Sequence, residues 1–367
     1  MKKRSSIYIT LFTLMVSVMF GCSDWTDSEA KDFFEKPSED YYKNLREYKK
    51  SDHQMCFGWF GNWTGKGSSM VNSMMGLPDS VDFVSIWGNW RNLDEARIED
   101  KRLAKEVKGI RALVCFIVAN VGDQLTPSEV RQKYAENGFA SESEAVKDFW
   151  GWVDGDDEKI QAAIDKYANA ICDTIDKYDY DGFDIDYEPH YGAPGNLAGG
   201  PGGTNRMDLF VKALSKRIGP KSGTGRLLVV DGEPQSMPAE TGPYFDYFIV
   251  QAYSCSGDGN LDSRLKSTID NFKDVLTPEE VASRYIVTEN FESLAQTGGT
   301  NFTDRYGNKM KSLEGMARWS PIIDGKLIRK GGTGTYHMEY DYPNQDATYM
   351  EYRYIRRSIS IMNPSVK

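Results

Sequence analysis

Cysteine and histidine are scarce, with five cysteines and three histidines in 367 residues. Cys22, Cys56, Cys115, Cys172 and Cys255 form no CxxC pair and show no histidine arrangement that suggests zinc, so no metal site is predicted. Cys56 and Cys115 fall in apolar, strand-like runs, where a buried free thiol is the expected state. Two disulfides stay open as an alternative in an oxidising compartment. Basic charge is also in short supply. The 44 Lys and Arg against 54 Asp and Glu leave a net charge of -10, which argues against a nucleic-acid partner and suits a neutral ligand. No apolar run is long enough for a comfortable membrane span, which needs about 20 residues. No GxGxxG follows the first strand-like run, so no dinucleotide cradle and no cofactor is predicted.

At the start of the chain, Lys2, Lys3 and Arg4 precede an apolar run from Ile7 to Phe20 and then Gly21-Cys22, the layout of a secretion signal. Residues 1–21 are therefore predicted as a signal peptide. A cysteine at that place resembles the bacterial lipobox, although Met19-Phe20 departs from its usual residues; the resemblance implies acylation of Cys22 and a lipid anchor at the outer membrane. Ser23-Asp24-Trp25-Thr26-Asp27-Ser28-Glu29 is similar to the surface-export signals of lipoproteins of Bacteroides-like bacteria, which implies display on the cell surface. Residues 22–50, charged and poor in aliphatics, are predicted as a polar tether, with Phe33, Phe34, Tyr41 and Tyr42 available to dock.

The remaining residues, 51–367, suit one large domain. Short apolar, β-rich runs recur at Met55–Phe60, Val81–Trp87, Ala112–Val118, Asp181–Glu188, Leu227–Asp231, Tyr247–Tyr253, Tyr285–Asn290 and Thr335–Tyr340. Between and after them lie helical stretches over Ser128–Glu136, Glu142–Val153, Asp157–Tyr178, Arg206–Arg217, Asp262–Val275, Ser312–Trp319 and about Asp346–Ile361. Alternating strand and helix implies parallel pairing through crossovers. Eight such strands predict an α/β fold, a (β/α)8 TIM barrel with some helices short or missing, whose site belongs at the carboxyl ends of the strands. An open doubly wound sheet is the alternative. After strands one and five the helices are short or absent, which leaves room for substrate loops. The glycine-rich run 191–205 after the fourth strand reads as a loop over the site.

That fourth strand carries the chemistry. In Asp181-Gly182-Phe183-Asp184-Ile185-Asp186-Tyr187-Glu188 three acids alternate with three apolar residues. Side chains of a strand alternate between faces, so Asp184, Asp186 and Glu188 are predicted to point into the barrel and Phe183, Ile185 and Tyr187 at the helices. Carboxylates stacked so closely retain at least one proton, which raises a pKa toward the range a general acid uses. Asp181 has the opposite parity and is given a structural role. A calcium loop from Lys177 would use Asp179, Asp181, Gly182 and Glu188, but it fails on Lys177 as first ligand and on Asp184 at a usually apolar position.

This strand resembles the DGxDxDxE signature of glycoside hydrolase family 18. Tyr191-Gly192, Gln251-Ala252-Tyr253 and Thr335-Tyr336-His337-Met338-Glu339 are similar to that family's endo-β-N-acetylglucosaminidase branch. The resemblance implies retaining, substrate-assisted hydrolysis through an oxazolinium intermediate. It implies that Glu188 is proton donor and base, Asp186 orients the acetamido group, Asp184 shares a proton with Asp186, Tyr253 donates to the acetamido oxygen, and Gln251 lines the floor. The implied substrate is an N-linked glycan or glycoprotein, cut at the GlcNAc-β-1,4-GlcNAc core bond. A chitinase and a non-catalytic glycan-binding protein on the same fold are the alternatives. Asn120, Asp231, Glu233, Asn290 and Glu339 lie at predicted strand ends and are candidates for sugar hydroxyls. Trp59, Trp63, Trp87, Trp90 and Trp319 are candidate stacking faces, Trp59 and Trp87 foremost, and each of the five is equally explained by burial. His190 is placed at the cleft rim, and a monomer is expected.

Overall fold

The computed structural model describes residues 37–191, 195–200, 203–342 and 350–364. The predicted signal peptide, Cys22, Phe33, Phe34, Gly192 and the start of the predicted last helix lie outside the described residues. Eight parallel strands close into a barrel: β1 Met55–Phe60, β2 Phe83–Trp87, β3 Arg111–Ile117, β4 Gly182–Tyr187, β5 Leu227–Gly232, β6 Tyr247–Gln251, β7 Tyr285–Asn290 and β8 Gly332–Tyr336. Each pairs with its neighbours in sequence, and β8 closes on β1 through Met55 opposite Gly332. The open doubly wound alternative is thereby excluded, because such a sheet keeps two free edges.

Strand parity divides the core into two layers. Phe57, Trp59, Phe83, Leu113, Cys115, Val229, Ile249 and Ile286 fill the barrel interior. Phe183, Ile185 and Tyr187 join the larger shell between strands and helices. The longest helix, Asp157–Tyr178, shows how the sequence sets that shell. Asp156 caps it by accepting from the Lys159 amide, Ile160, Ile164, Tyr167, Ile171 and Ile175 recur on one buried face, and Asp179 ends it with a φ of 50°. That left-handed residue turns the chain directly into β4. The Lys177–Glu188 stretch is thus a helix end followed by a strand, with no calcium-type loop.

Several boundaries differ from expectation. The eighth strand was expected at Thr335–Tyr340 but runs over Gly332–Tyr336. Gly332 and Gly334 look like turn residues, yet they are required for close approach: a Cβ would lie 2.0 Å from Met55 O at the first and 2.6 Å from Phe57 O at the second. His337, at a φ of 54°, then ends the strand. A helix at Glu95–Leu103, continued by a π turn over Ala104–Lys108, had no sequence prediction. Its apolar stripe is thin, and it is fixed instead by Asp100, which accepts from the Trp63 indole at 2.8 Å and the Met74 amide at 2.7 Å.

The polar stretch 22–50 is not tether throughout, because Glu39–Lys50 is a helix. From Lys43 on it belongs to the barrel unit, with Leu45 buried, Arg46 donating to Val107 O at 2.8 Å and Lys49 donating to Val81 O. Cationic side chains donating to main-chain carbonyls dock it, a signal that hydropathy does not carry. The four cysteines within the described residues are all buried and free. No described helix is long and apolar enough to cross a membrane.

Candidate active site

The loops after β1 and β5 carry only short 3-10 turns, Met70–Asn72 and Met74–Gly76 after the first, Pro234–Ser236 and Ala239–Tyr244 after the second. Missing helices leave a cleft of about 610 Å³ at the carboxyl ends of the strands, with Asp186 and Glu188 in its wall. Its aromatic side is built around Tyr336. The rings of Trp59 and Trp87 meet it edge-on at 6.1 and 5.9 Å, and Tyr253 lies tilted at 6.3 Å. Trp87 and Trp59 line the cleft, Trp59 from its floor and buried at 2% exposure, so only Trp87 offers an open face; Trp63, Trp90 and Trp319 are buried in the outer shell.

Glu188 stands at the strand mouth, half-buried, and among the described residues no side chain or amide hydrogen-bonds its carboxylate. Gly232 keeps that position open. It has a φ of 85°, and a Cβ there would meet Tyr187 O at 2.7 Å and Glu188 Cγ at 3.0 Å. Asp186 is buried, and its Oδ1 has no partner. Burial raises its pKa, and the charges of Glu188 and Asp184 raise it further.

Beneath it Asp184 is fully buried and accepts from Ser85 Oγ at 2.6 Å. Asp231, predicted as a sugar ligand, is not at the surface of the cleft. It sits opposite Asp186 in the β4–β5 register, fully buried. One oxygen of Asp184, one of Asp231 and the Cys115 sulfur lie within 4.8 Å of one another. Parity pushed Asp231 inward one layer deeper than its place near the strand end suggested. Burial raises the pKa of both carboxyls, the fields of Asp184 and Asp186 adding to the rise at Asp231. Two carboxyls so close retain a proton between them, so the neighbour with which Asp184 shares a proton is Asp231 in place of the Asp186 that was expected, and the buried Cys115 thiol, whose own pKa is raised by burial, stays neutral beside them. Such a group is a proton-sharing cluster; a dication would have to displace the Ser85 and Gln251 contacts.

Gln251 joins cluster and cleft: it lines the cleft and donates from Nε2 to Asp231 Oδ1 at 3.2 Å. Tyr253 follows β6 in a turn, its pKa raised by burial and by the fields of Asp231 and Asp186, so the phenol keeps its proton as a hydrogen-bond donor. Sequence reasoning missed Glu289, which sets that turn. Fully buried, it accepts from the Ser254 and Asn290 amides, both at 2.8 Å, and from Ser312 Oγ. Ser254 has a φ of 56°, and the Glu289 carboxylate holds that strained residue directly behind Tyr253. An acid on the helix-facing side of a buried strand was the available signal.

Glu233 and Asn290 line the cleft, Glu233 pairing at 2.5 Å with His190 at the rim and Asn290 capping a short helix through the Glu292 amide at 2.9 Å. Glu339 and Asn120 are not among the lining residues. Glu339 is buried and holds the loop after β1, accepting from the Gly61 amide at 3.0 Å and Asn62 Nδ2 at 3.2 Å, with His337 at 2.8 Å. The eighth strand's earlier end moves it off the mouth. Asn120 accepts the Asn196 amide at 3.0 Å and fixes the loop after β4. Asp181 is structural as expected, accepting from the Ala112 amide at 3.0 Å and pairing with Lys105 at 2.9 Å. Tyr336, Gln235 and Arg264 line the cleft without having been singled out as site residues.

Comparison with known proteins agrees with this geometry. The model described as glycoside hydrolase family 18, BT1044-like, matches residues 26–361. The solved structure of BT1044 is 37% identical with a TM-score of 0.73, covering 89% of this chain and 93% of that one. Endo-beta-N-acetylglucosaminidase F2 of Elizabethkingia meningoseptica is 26% identical over 335 residues, 88% of this chain and 85% of that protein. An endo-beta-N-acetylglucosaminidase from Cordyceps militaris, 22% identical with a TM-score of 0.58 over 90% of this chain and 98% of that one, shares the fold. With its acidic fourth strand at the mouth of an eight-stranded barrel, the chain belongs to glycoside hydrolase family 18, in the endo-β-N-acetylglucosaminidase branch.

Proposed function

We propose that this protein hydrolyses the GlcNAc-β-1,4-GlcNAc core bond of N-linked glycans with retention of configuration. The observation that carries the proposal is the pairing of Asp186 and Glu188 in the wall of an aromatic-sided cleft. Only one of the two is free to exchange protons with a leaving group, since Glu188 alone stands at the mouth. That asymmetry suits a substrate-assisted reaction better than the two-carboxylate scheme. The acetamido carbonyl oxygen of the substrate attacks its own anomeric carbon while Glu188 gives its proton to the departing glycosidic oxygen. Asp186 accepts the acetamido N–H and offsets the positive charge of the oxazolinium ring, and Tyr253 donates to the acetamido oxygen. Water then adds to the anomeric carbon as that carbon's bond to the oxazolinium oxygen breaks and the acetamido group is restored, and the water gives a proton back to Glu188. Asp184 and Asp231 hold a proton beneath and so set how much charge Asp186 carries.

The N-terminal residues support a second part of the reading: export, cleavage before Cys22, and an enzyme held at the outer membrane by lipid on that cysteine. The catalytic proposal is tested by mass spectrometry of glycans released from high-mannose and complex N-glycoproteins, beside chitin oligosaccharides. Free glycan ending in one N-acetylglucosamine, lost by more than about a thousandfold in Glu188→Gln, is the expected result. Cleavage of the chitin substrate alone, or glycan binding without any product, would overturn it.

A further inference from the structure

Beside the cleft, across Ile117, lies a second cavity of about 590 Å³ whose wall includes Arg91, Asp123, Gln124 and Arg131. Ile117 belongs to both cavities and is 50% exposed, so it forms an apolar ridge between them at the end of β3. The charges in the second cavity are not equally engaged. Asp123 is turned inward, its Oδ2 accepting the Ala119 amide at 2.8 Å and the Asn120 amide at 2.6 Å. Arg131 is paired with Glu142 at 2.6 Å. Arg91 has no carboxylate partner among the described residues. Its guanidinium lies 4.6 Å over the Trp90 ring and donates from Nη2 to Gln124 Oε1 at 3.1 Å. Trp90 is itself buried, and Gln124 has a φ of 60°, so the guanidinium is held by a fixed ring on one side and a constrained loop on the other. A pre-positioned, unpaired arginine presents a planar fork that matches a carboxylate or sulfate.

We propose that this second cavity is a subsite for an anionic substituent of the glycan, the carboxylate of a terminal acidic sugar or a sulfate ester, with Arg91 as its anchor. The inference rests on the endo-acting reading: the reducing end lies over Asp186 and Glu188, and a branch crosses the Ile117 ridge. Specificity, and not chemistry, is the role assigned to Arg91. The experiment measures kcat/KM for the parent enzyme, Arg91→Gln and Arg91→Lys on glycopeptides that share one biantennary core and end in neutral, sialylated or sulfated sugars. The parent is expected to favour one acidic form over the neutral form by roughly tenfold, as for a charge-assisted hydrogen bond. That ratio should fall to near one in Arg91→Gln, recover in part in Arg91→Lys, and shrink with added salt. The sialylated and sulfated arms identify the anion. A parent ratio near one, or a ratio that survives Arg91→Gln, would overturn the inference. If no glycopeptide is cleaved the endo-acting reading fails, and calorimetric binding of the same three glycans to parent and variant then tests the subsite by the same ratio.

Discussion

Replacing Asp231 by asparagine should make the protein more stable at pH 8 and much less so at pH 5. Asp231 and Asp184 are both fully buried, with facing oxygens within 4.8 Å. Two unit charges at that separation repel by about 3.5 kcal/mol at an effective dielectric constant near 20. The pair avoids most of this by retaining a proton, so its carboxyl pKa values are raised in the folded state. A raised pKa means that the folded protein binds more protons than the unfolded chain. Its contribution is fully present below the unfolded value, near pH 4, and is lost as the pH climbs through the folded values. Asparagine imitates the protonated acid: it still accepts from Gln251 and offers an N–H toward Asp184. The variant should therefore gain up to about 3 kcal/mol at pH 8 and only about 1 kcal/mol at pH 5, where the unfolded carboxyl has only begun to lose its proton relative to the folded one. Asp246 and Asp341, pushed up by burial to about 6 and about 7, slope the parent's stability in the same direction. For that reason the quantity to compare is the difference between variant and parent urea midpoints at each pH. A loss of about 2 kcal/mol or more at both pH values would show that Asp231 works as an unpaired carboxylate, and would refute the proton-sharing account.

Gly232→Ala forces a side chain into a positive-φ position against Tyr187 O and Glu188 Cγ; it should cost about 2 kcal/mol by urea unfolding and slow glycan release by about tenfold or more, because Glu188 must shift. An activity equal to the parent's would mean that the proton donor is not held where Gly232 leaves room. Tyr253→Phe should lower kcat about a hundredfold with little change in KM, since a donor to the acetamido oxygen matters most once that oxygen attacks; an effect confined to KM would assign the phenol to ground-state binding. Cys22→Ser should move the protein from the outer-membrane fraction to the soluble fraction and abolish fatty-acid labelling, and unchanged membrane retention would refute the lipid anchor.

Much of the site was legible because β-structure converts sequence spacing into direction. Alternation along residues 183–188 is enough to place three acids inside and three apolar side chains outside, and the structure keeps that parity. Spacing carries direction but not depth. Asp231 and Glu339 were both credited to strand mouths; one proved to lie a layer below the cleft and the other to clamp the loop after β1. Glu289 was passed over because its role is to hold a neighbouring turn, and a lone acid in an apolar strand does not say which amides it will meet.

The sequence by itself determined the number of strands, the helix-facing and barrel-facing sides of the fourth one, and the chemistry it carries, since each depends on residue type and local period. Tertiary structure decided which side chains converge. The proximity of Asp184 to Asp231, the ring of aromatics around Tyr336, and the unpaired Arg91 beside Ile117 bring together residues on different strands and loops. Such distances are set by barrel closure and strand register, which arise only when all eight strands pair and no short segment can encode alone.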